Sequence, residues 1–177
     1  MIYFTADTHF CHSNIIHLNN RPFQNLEQMH SALIRNWNSY ISNNDEIYIL
    51  GDFMYKGSGE EANKILKKLN GKKYLIKGNH DKYLKDENFN KNAFEWIEDY
   101  YVLDYKKKKF VLFHYPILEW AGYFKGAIHL YGHVHNTTKN DEQTERLKIL
   151  GNNAFNVGVD VNNFFPVSIE NILKKSR

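Results

Sequence analysis

Short apolar runs, each closed by Gly, Asn, Asp or Pro, alternate along this chain with stretches whose apolar residues recur every three or four positions. That alternation is the strongest constraint on its fold. Ile2–Ala6, Glu46–Leu50, Tyr74–Lys77, Phe110–Phe113 and Ala127–Tyr131 read as strands. Between the first two, Leu26, Met29, Leu33, Trp37, Tyr40 and Ile41 form a helical stripe that Asn25 can cap. Ser58 and Glu61 make a capping-box pattern ahead of Ala62, Ile65, Leu66 and Leu69, and Gly71 supplies the stop. Tyr100–Tyr105 and Lys109–Phe113 predict a hairpin about a lysine run, and Phe155–Val161 a further strand. A layered α/β domain follows, with helices outside a sheet. No repeat, low-complexity tract or Pro/Gly-rich linker divides the sequence, so residues 1–177 are expected to form a single domain. The segment 136–153 is polar and has no period, which predicts a mobile surface loop.

Composition narrows the function. With 42% hydrophobic and 24% charged residues, scattered rather than blocked, the chain is neither disordered nor fibrous. No apolar run approaches the ~20 residues needed to span a bilayer, so no membrane partner is expected. The opening Met1–Asp7 lacks the basic head and apolar stretch of an export signal, and the single cysteine, Cys11, suits a reducing compartment. A cytoplasmic location is the expectation. A net charge of +3, mostly from Lys, allows nucleic-acid binding without indicating it; the run Lys106–Lys109 reads as a solvated turn.

Nine His are the more telling figure, because of where they fall. In open α/β sheets ligands bind beyond the carboxyl ends of the strands. Here those ends read Asp7-Thr8-His9, Gly51-Asp52, Gly78-Asn79-His80-Asp81, His114 and Gly132-His133-Val134-His135. A lone Asp after Gly is ordinarily a turn residue and a lone His a rim residue, but five successive strand ends carrying Asp, Asn or His form a pattern. Two divalent ions about 3.5–4 Å apart need a shared anionic bridge, further oxygen ligands and imidazoles. Residues i and i+2 of an extended strand end point the same way, so Asp7 with His9, and His133 with His135, can each aim two ligands at one cleft.

In this order the five blocks resemble those of the calcineurin-like metallophosphoesterases, over residues 2 to about 135. The opening Asp7-Thr8-His9-Phe10-x-His12 and the segment Asn20-Arg21-Pro22-Phe23 are similar to the small single-domain bacterial and phage-type members. The resemblance implies a four-layer α/β/β/α sandwich, two mixed sheets flanked by helices, with a dinuclear metal site at the strand ends. It implies that Asp7, His9, Asp52 and His135 hold one ion and that Asp52, Asn79, His114 and His133 hold the other. It also implies hydrolysis of a phosphoester by a metal-bridging hydroxide, with His80 as the general acid on the leaving oxygen. Of the ions that suit carboxylate and imidazole, Mn is the expectation, ahead of Fe, Ni, Co, Zn or Mg.

One departure from the family pattern is informative. Phosphatase members often continue the second block as Gly-Asp-x-x-Asp-Arg-Gly, whereas this chain reads Gly51-Asp52-Phe53-Met54-Tyr55-Lys56-Gly57. Lys cannot make the bidentate phosphate clamp of Arg, which favours a phosphodiester, such as a nucleotide or another small diester, over a monoester. His12, Arg21 and Lys56 are the candidates for binding substrate, and Asp81 for orienting His80. The alternatives are a phosphomonoesterase, a nuclease, or a non-catalytic scaffold of the same fold; a scaffold would tolerate loss of a ligand or of His80, and none is lost. Cys11, His17, His30 and His129 read as structural or loop residues.

Overall fold

The computed structural model describes residues 1–136 and 141–176. Strands β1 (Ile2–Thr5), β2 (Glu46–Leu50) and β3 (Lys72–Ile76) send Tyr3, Ile47, Ile49 and Leu75 to one face, and Phe4, Tyr48, Leu50 and Ile76 to the other. Apolar residues on both faces of a parallel sheet require cover on both sides. One cover is helical: the short α1 (Ile15–Leu18) supplies Ile15 and Ile16, α2 (Leu26–Tyr40) supplies Met29, Leu33 and Trp37, and α3 (Gly59–Leu66) supplies Ala62, Ile65 and Leu66. Asn25 caps α2 by accepting from the Gln28 N–H, and the Ser58/Glu61 capping box opens α3.

The other cover is a second sheet. The order in the first sheet is β4 (Trp96–Glu98), β3, β2, β1, β9 (Val167–Ser168), parallel except for β9. The second runs β5 (Tyr100–Tyr105), β6 (Lys108–Phe113), β7 (Ile128–Tyr131), β8 (Ala154–Asn156), with only the β5–β6 hairpin antiparallel. Leu103, Phe110, Leu112, Ile128 and Leu130 meet the inner face of the first sheet, and the Phe4 and Phe110 rings stack 6.3 Å apart. Helix α5 (Ile169–Lys175) adds Ile169 and Ile172 to that core. On the outer face of the second sheet Val111 packs against Trp120 and Ala127. The class is therefore the expected one, two mixed sheets flanked by helices. Among the described residues no helix is long and apolar enough to cross a membrane.

Two local expectations need correction, and two strands carry no sequence signal. Strands β4 and β9 are too short, and too near the sheet edges, to show an alternation. Phe155–Val161 is a strand only as far as Asn156, after which the chain turns through Gly158 into a single 3₁₀ turn over Val159–Val161. The expected loop 136–153 has its portion 137–140 outside the described residues, while Asp141–Lys148 is a helix, α4. Its exposed ion pairs, Glu142 with Arg146 and Glu145 with Lys148, replace an apolar stripe, so no hydrophobic period marks it.

Parallel strands bring their carboxyl ends to one side, and backbone bonds lash the following loops together. Asp7 N–H donates to the Gly51 carbonyl (3.0 Å), His9 N–H to that of Asp52 (3.0 Å), and Gly132 N–H to that of His114 (2.9 Å). The inter-sheet core fixes the spacing of those ends. Replacing Phe110, fully buried in it, by Ala is expected to lower unfolding free energy by about 3–5 kcal/mol in urea titration. Phe124→Ser, at a side chain 85% exposed, should change it by less than about 0.5 kcal/mol.

Candidate metal centre

Asp7 (φ 56°), His9 (50°), Asp52 (53°), His133 (69°) and His135 (42°) all adopt the left-handed backbone region. The paired side chains are thus not aimed by extended alternation, as expected from their i and i+2 spacing, but by successive left-handed turns at the strand ends. Each such residue costs about 1–2 kcal/mol, and this kind of strain gathers at functional sites. The glycines act chiefly by close approach. A Cβ on Gly78 would lie 2.2 Å from Asp52 Oδ1, and one on Gly51 would lie 2.4 Å from His114 Nδ1.

The seven expected ligand positions form two groups around Asp52. Ligand atoms of Asp7, His9 and His135 lie within 4.8 Å of one another, as do those of Asp52, His114 and His133. Asp52 Oδ2 stands between the groups, 3.6 Å from His9 Nε2 and 3.5 Å from His114 Nε2. Asn79 joins the second group, its Oδ1 lying 3.2 Å from His114 Nε2. His9 Nε2 is buried without any hydrogen-bond partner. An orphaned imidazole nitrogen facing a carboxylate, in a set of carboxylates, imidazoles and one amide, is the donor chemistry of a borderline divalent cation.

Neighbouring groups fix which nitrogens face the centre. His114 Nδ1 donates to the Leu50 carbonyl (2.8 Å) and His135 Nδ1 to Asp160 Oδ2 (2.8 Å), which turns both Nε2 atoms inward. Burial drives the His9 pKa down to about 2, helped by His135, so the ring is neutral and its lone pair is free. Burial pushes Asp7 up to about 6. Burial pushes Asp52 upward too, but hydrogen bonding and charge from His114 outweigh it and hold Asp52 at about 2. The His114 pKa is raised in turn, since Asp52 overcomes the effect of burial on the ring.

His80 stands at the rim. Its Nε2 is 4.0 Å from Asp52 Oδ2, its backbone N–H donates to Asp52 Oδ1 (2.8 Å), and its side chain is 36% exposed. Asp81 does not orient it, contrary to the expectation. That carboxylate is buried and accepts from the N–H groups of Asp52, Phe53 and Gly78, tying two ligand loops together. The group packed on His80 is Tyr55, edge to face at 4.9 Å.

The three substrate-binding candidates separate. Arg21 is fully buried, with its guanidinium bound to Asp160 and to the carbonyls of Asp7 and Thr8, so it lies in the wall of the centre and has no donor left for substrate. His12 lies at the rim, stacked on Tyr55 at 3.9 Å, but burial and the nearby His80 and Arg21 lower its pKa to about 4, so it brings no charge. Lys56 is exposed at the rim, with its Nζ 5.2 Å from the Tyr55 ring centroid. Cys11 joins neither ligand group. His30 accepts from the Cys11 N–H, His129 is buried against two backbone carbonyls, and His17 is exposed, so none of them reaches the centre.

Two residues of the site carried no sequence signal. Asp160 sits in the turn after β8, brought beside Asp7 by the bridge from Ala6 to Gly158. Tyr115 donates its hydroxyl to Asn79 Oδ1 (3.3 Å) and packs its ring on His133 at 4.6 Å.

The comparisons agree with this geometry. The sequence matches the family described as calcineurin-like phosphoesterase over residues 1–137, and the chain belongs to that family. It is 37% identical over 174 residues to the uncharacterized protein MJ1445 of Methanocaldococcus jannaschii, covering 98% of this chain and 89% of that one. Among solved structures it is similar to the protein of unknown function AQ665 from Aquifex aeolicus, with a TM-score of 0.76, 30% identity and 98% of each chain covered. Membership supplies the broad class of activity, metal-dependent phosphoester hydrolysis, and the ligand groups supply a divalent-metal site.

Two outcomes are expected. Asp81→Asn can satisfy only part of the set of N–H groups its carboxylate holds, and should lower stability by about 1–3 kcal/mol in denaturant unfolding. Asp160, held at about 2 by His135 and Arg21 against the effect of burial, stabilises the fold above its unfolded pKa of about 3.9 and loses that contribution as pH falls toward 2. The difference in midpoint temperature between metal-stripped wild type and Asp160→Asn should therefore shrink across that window on acidification.

Proposed function

We propose that this protein is a dinuclear metal-dependent phosphodiesterase acting on a nucleotide or another small phosphodiester. The observation that carries the reading is Asp52 Oδ2, a member of the group with His114 and His133, facing the unpartnered His9 Nε2 of the other three-ligand group at 3.6 Å and His114 Nε2 at 3.5 Å. Asp7, His9, Asp52 and His135 would hold one ion, and Asp52, Asn79, His114 and His133 the other. When bound, such a pair activates water for in-line attack and offsets charge on the phosphoryl oxygens. The ligand set suits Mn, with mixed oxygen and nitrogen donors.

The remaining roles belong to the side chains at the rim. His80, partly exposed and 4.0 Å from Asp52, is placed to hand its Nε2 proton to the leaving oxygen. Lys56 offers one point charge, where a bidentate guanidinium would select the dianion of a monoester. With Arg21 committed to Asp160, no arginine in the described site replaces that clamp. The absence of a clamp is what supports diester preference.

The test is hydrolysis of bis-p-nitrophenyl phosphate and p-nitrophenyl phosphate by metal-stripped protein with Mn restored. Turnover that requires Mn and favours the diester is expected, and a monoester preference would overturn the reading of Tyr55 and Lys56. His80→Ala should lower kcat by ~10²- to 10⁴-fold on a diester with an alkyl leaving group, and far less on p-nitrophenolate, which needs no proton. An equal loss on both substrates would remove His80 from the acid role.

A further inference from the structure

The groups that hold the two halves of the centre from outside are not equivalent. Arg21 and Asp160 form a buried pair, their side chains 0% and 3% exposed. Arg21 Nε donates to Asp160 Oδ1 and Nη2 to Oδ2, both at 2.8 Å. The remaining three guanidinium hydrogens do not idle: Nη2 also donates to the Asp7 carbonyl (2.8 Å), and Nη1 to the Thr8 carbonyl (2.9 Å) and Met29 Sδ (3.4 Å). Asp160 Oδ2 in turn accepts from His135 Nδ1 at 2.8 Å. One buried ion pair therefore grips the backbone that carries Asp7 and His9, and also the ring of His135. Those are the three residues of the first ligand group.

None of these bonds reaches the second group. His114 is set by the Leu50 carbonyl, Asn79 is held by Tyr115, and His133 packs against the rings of His114 and Tyr115 and gives its N–H to the Asp7 carboxylate (2.9 Å), a bond that involves neither Arg21 nor Asp160. A buried ion pair is a poor source of net stability, because desolvating two charges offsets most of their attraction. Its geometry here has a clearer use: a carboxylate on the far nitrogen of a ligating imidazole fixes the tautomer, aims the ring and raises its basicity.

We infer that the Arg21–Asp160 pair is a positioning device for one ion only, setting the affinity of the site formed by Asp7, His9 and His135 while leaving the site of His114 and His133 unaltered. This rests on the two-ion reading given above. Arg21 and Asp160 are positioning residues, acting through the ligands rather than on substrate.

The test is calorimetric titration of metal-stripped protein with Mn, paired with electron paramagnetic resonance of the loaded protein. Asp160→Asn keeps the shape of the side chain, and Arg21→Lys keeps the buried charge but loses the fork. Wild type should bind two ions and show the signal of an exchange-coupled pair. In both variants one binding event should weaken about 10- to 100-fold with the other unchanged, so that stoichiometric loading gives the spectrum of an isolated ion. His114→Ala, weakening the complementary event, identifies which ion is which. Equal weakening of both events, or of neither, would overturn the inference, as would failure of both variants to fold with or without Mn. A wild type that binds a single ion would overturn the two-ion reading instead; the inference then holds only if that ion is weakened in Asp160→Asn.

Discussion

The centre depends on one buried carboxylate. Asp52 is inserted between the carboxyl ends of two sheets, with Oδ2 facing His9 on one side and His114 on the other, and with Oδ1 accepting the His80 N–H. An anion in so dry a place is tolerable only because cations or donors approach it from several directions. That demand explains the surrounding backbone. The residue packed against Oδ1 at position 78 has to be glycine, since a Cβ there would lie 2.2 Å from the oxygen, far inside van der Waals contact. The three N–H groups of Asp52, Phe53 and Gly78 are gathered by Asp81, so the loop carrying Asp52 and the loop carrying Asn79 move as one piece.

Strain is the other side of that arrangement. Left-handed ligand backbones at Asp7, His9, Asp52, His133 and His135 would relax if the strand ends were free. They are not free, because β1 and β2 continue their pairing into the loops through the bonds from Asp7 to Gly51 and from His9 to Asp52. The inter-sheet core about Phe4 and Phe110 holds the second sheet at a fixed distance, and with it His114 and His133. The hydrophobic layers thus supply the rigidity that keeps the ligands in conformations they would not adopt alone.

How much of this was legible in the sequence follows from the range of the interactions. The long strands, the stripe of α2 and the capping box of α3 depend on neighbours within one turn or one strand, and each appears where its pattern stands. The ligand blocks were legible because each is a short run of chemically distinctive residues at a strand end. Their left-handed conformations were not, since they are imposed by pairing across chain separations of tens of residues. Asp160 was invisible for the same reason: Val159-Asp160-Val161 looks like strand until Val159 N–H binds the Ala6 carbonyl (3.0 Å) and turns the chain beside Asp7. Arg21 was read as a substrate group because an arginine near a metal block ordinarily serves that end, and only burial shows it committed to the wall. Helix α4 shows no hydrophobic period because Leu147 is the one apolar residue between Asp141 and Lys148.

The charges of the two ligand groups lead to one further step. In the metal-stripped protein the second group compensates itself, with Asp52 ionised and His114 drawn toward its protonated form against burial. In the first group His135 lowers the pKa of both His9 and Asp7, but burial outweighs it at Asp7. His9 is kept neutral, and burial pushes the Asp7 carboxyl toward its protonated form at about 6. A cation at the second group would meet an imidazole whose affinity for protons Asp52 raises, and one at the first a carboxyl that burial pushes up to about 6. Because ligands must be deprotonated to bind metal, each group would couple metal affinity to pH through a different residue. Asp52, facing both His9 and His114, would couple the two sites to each other.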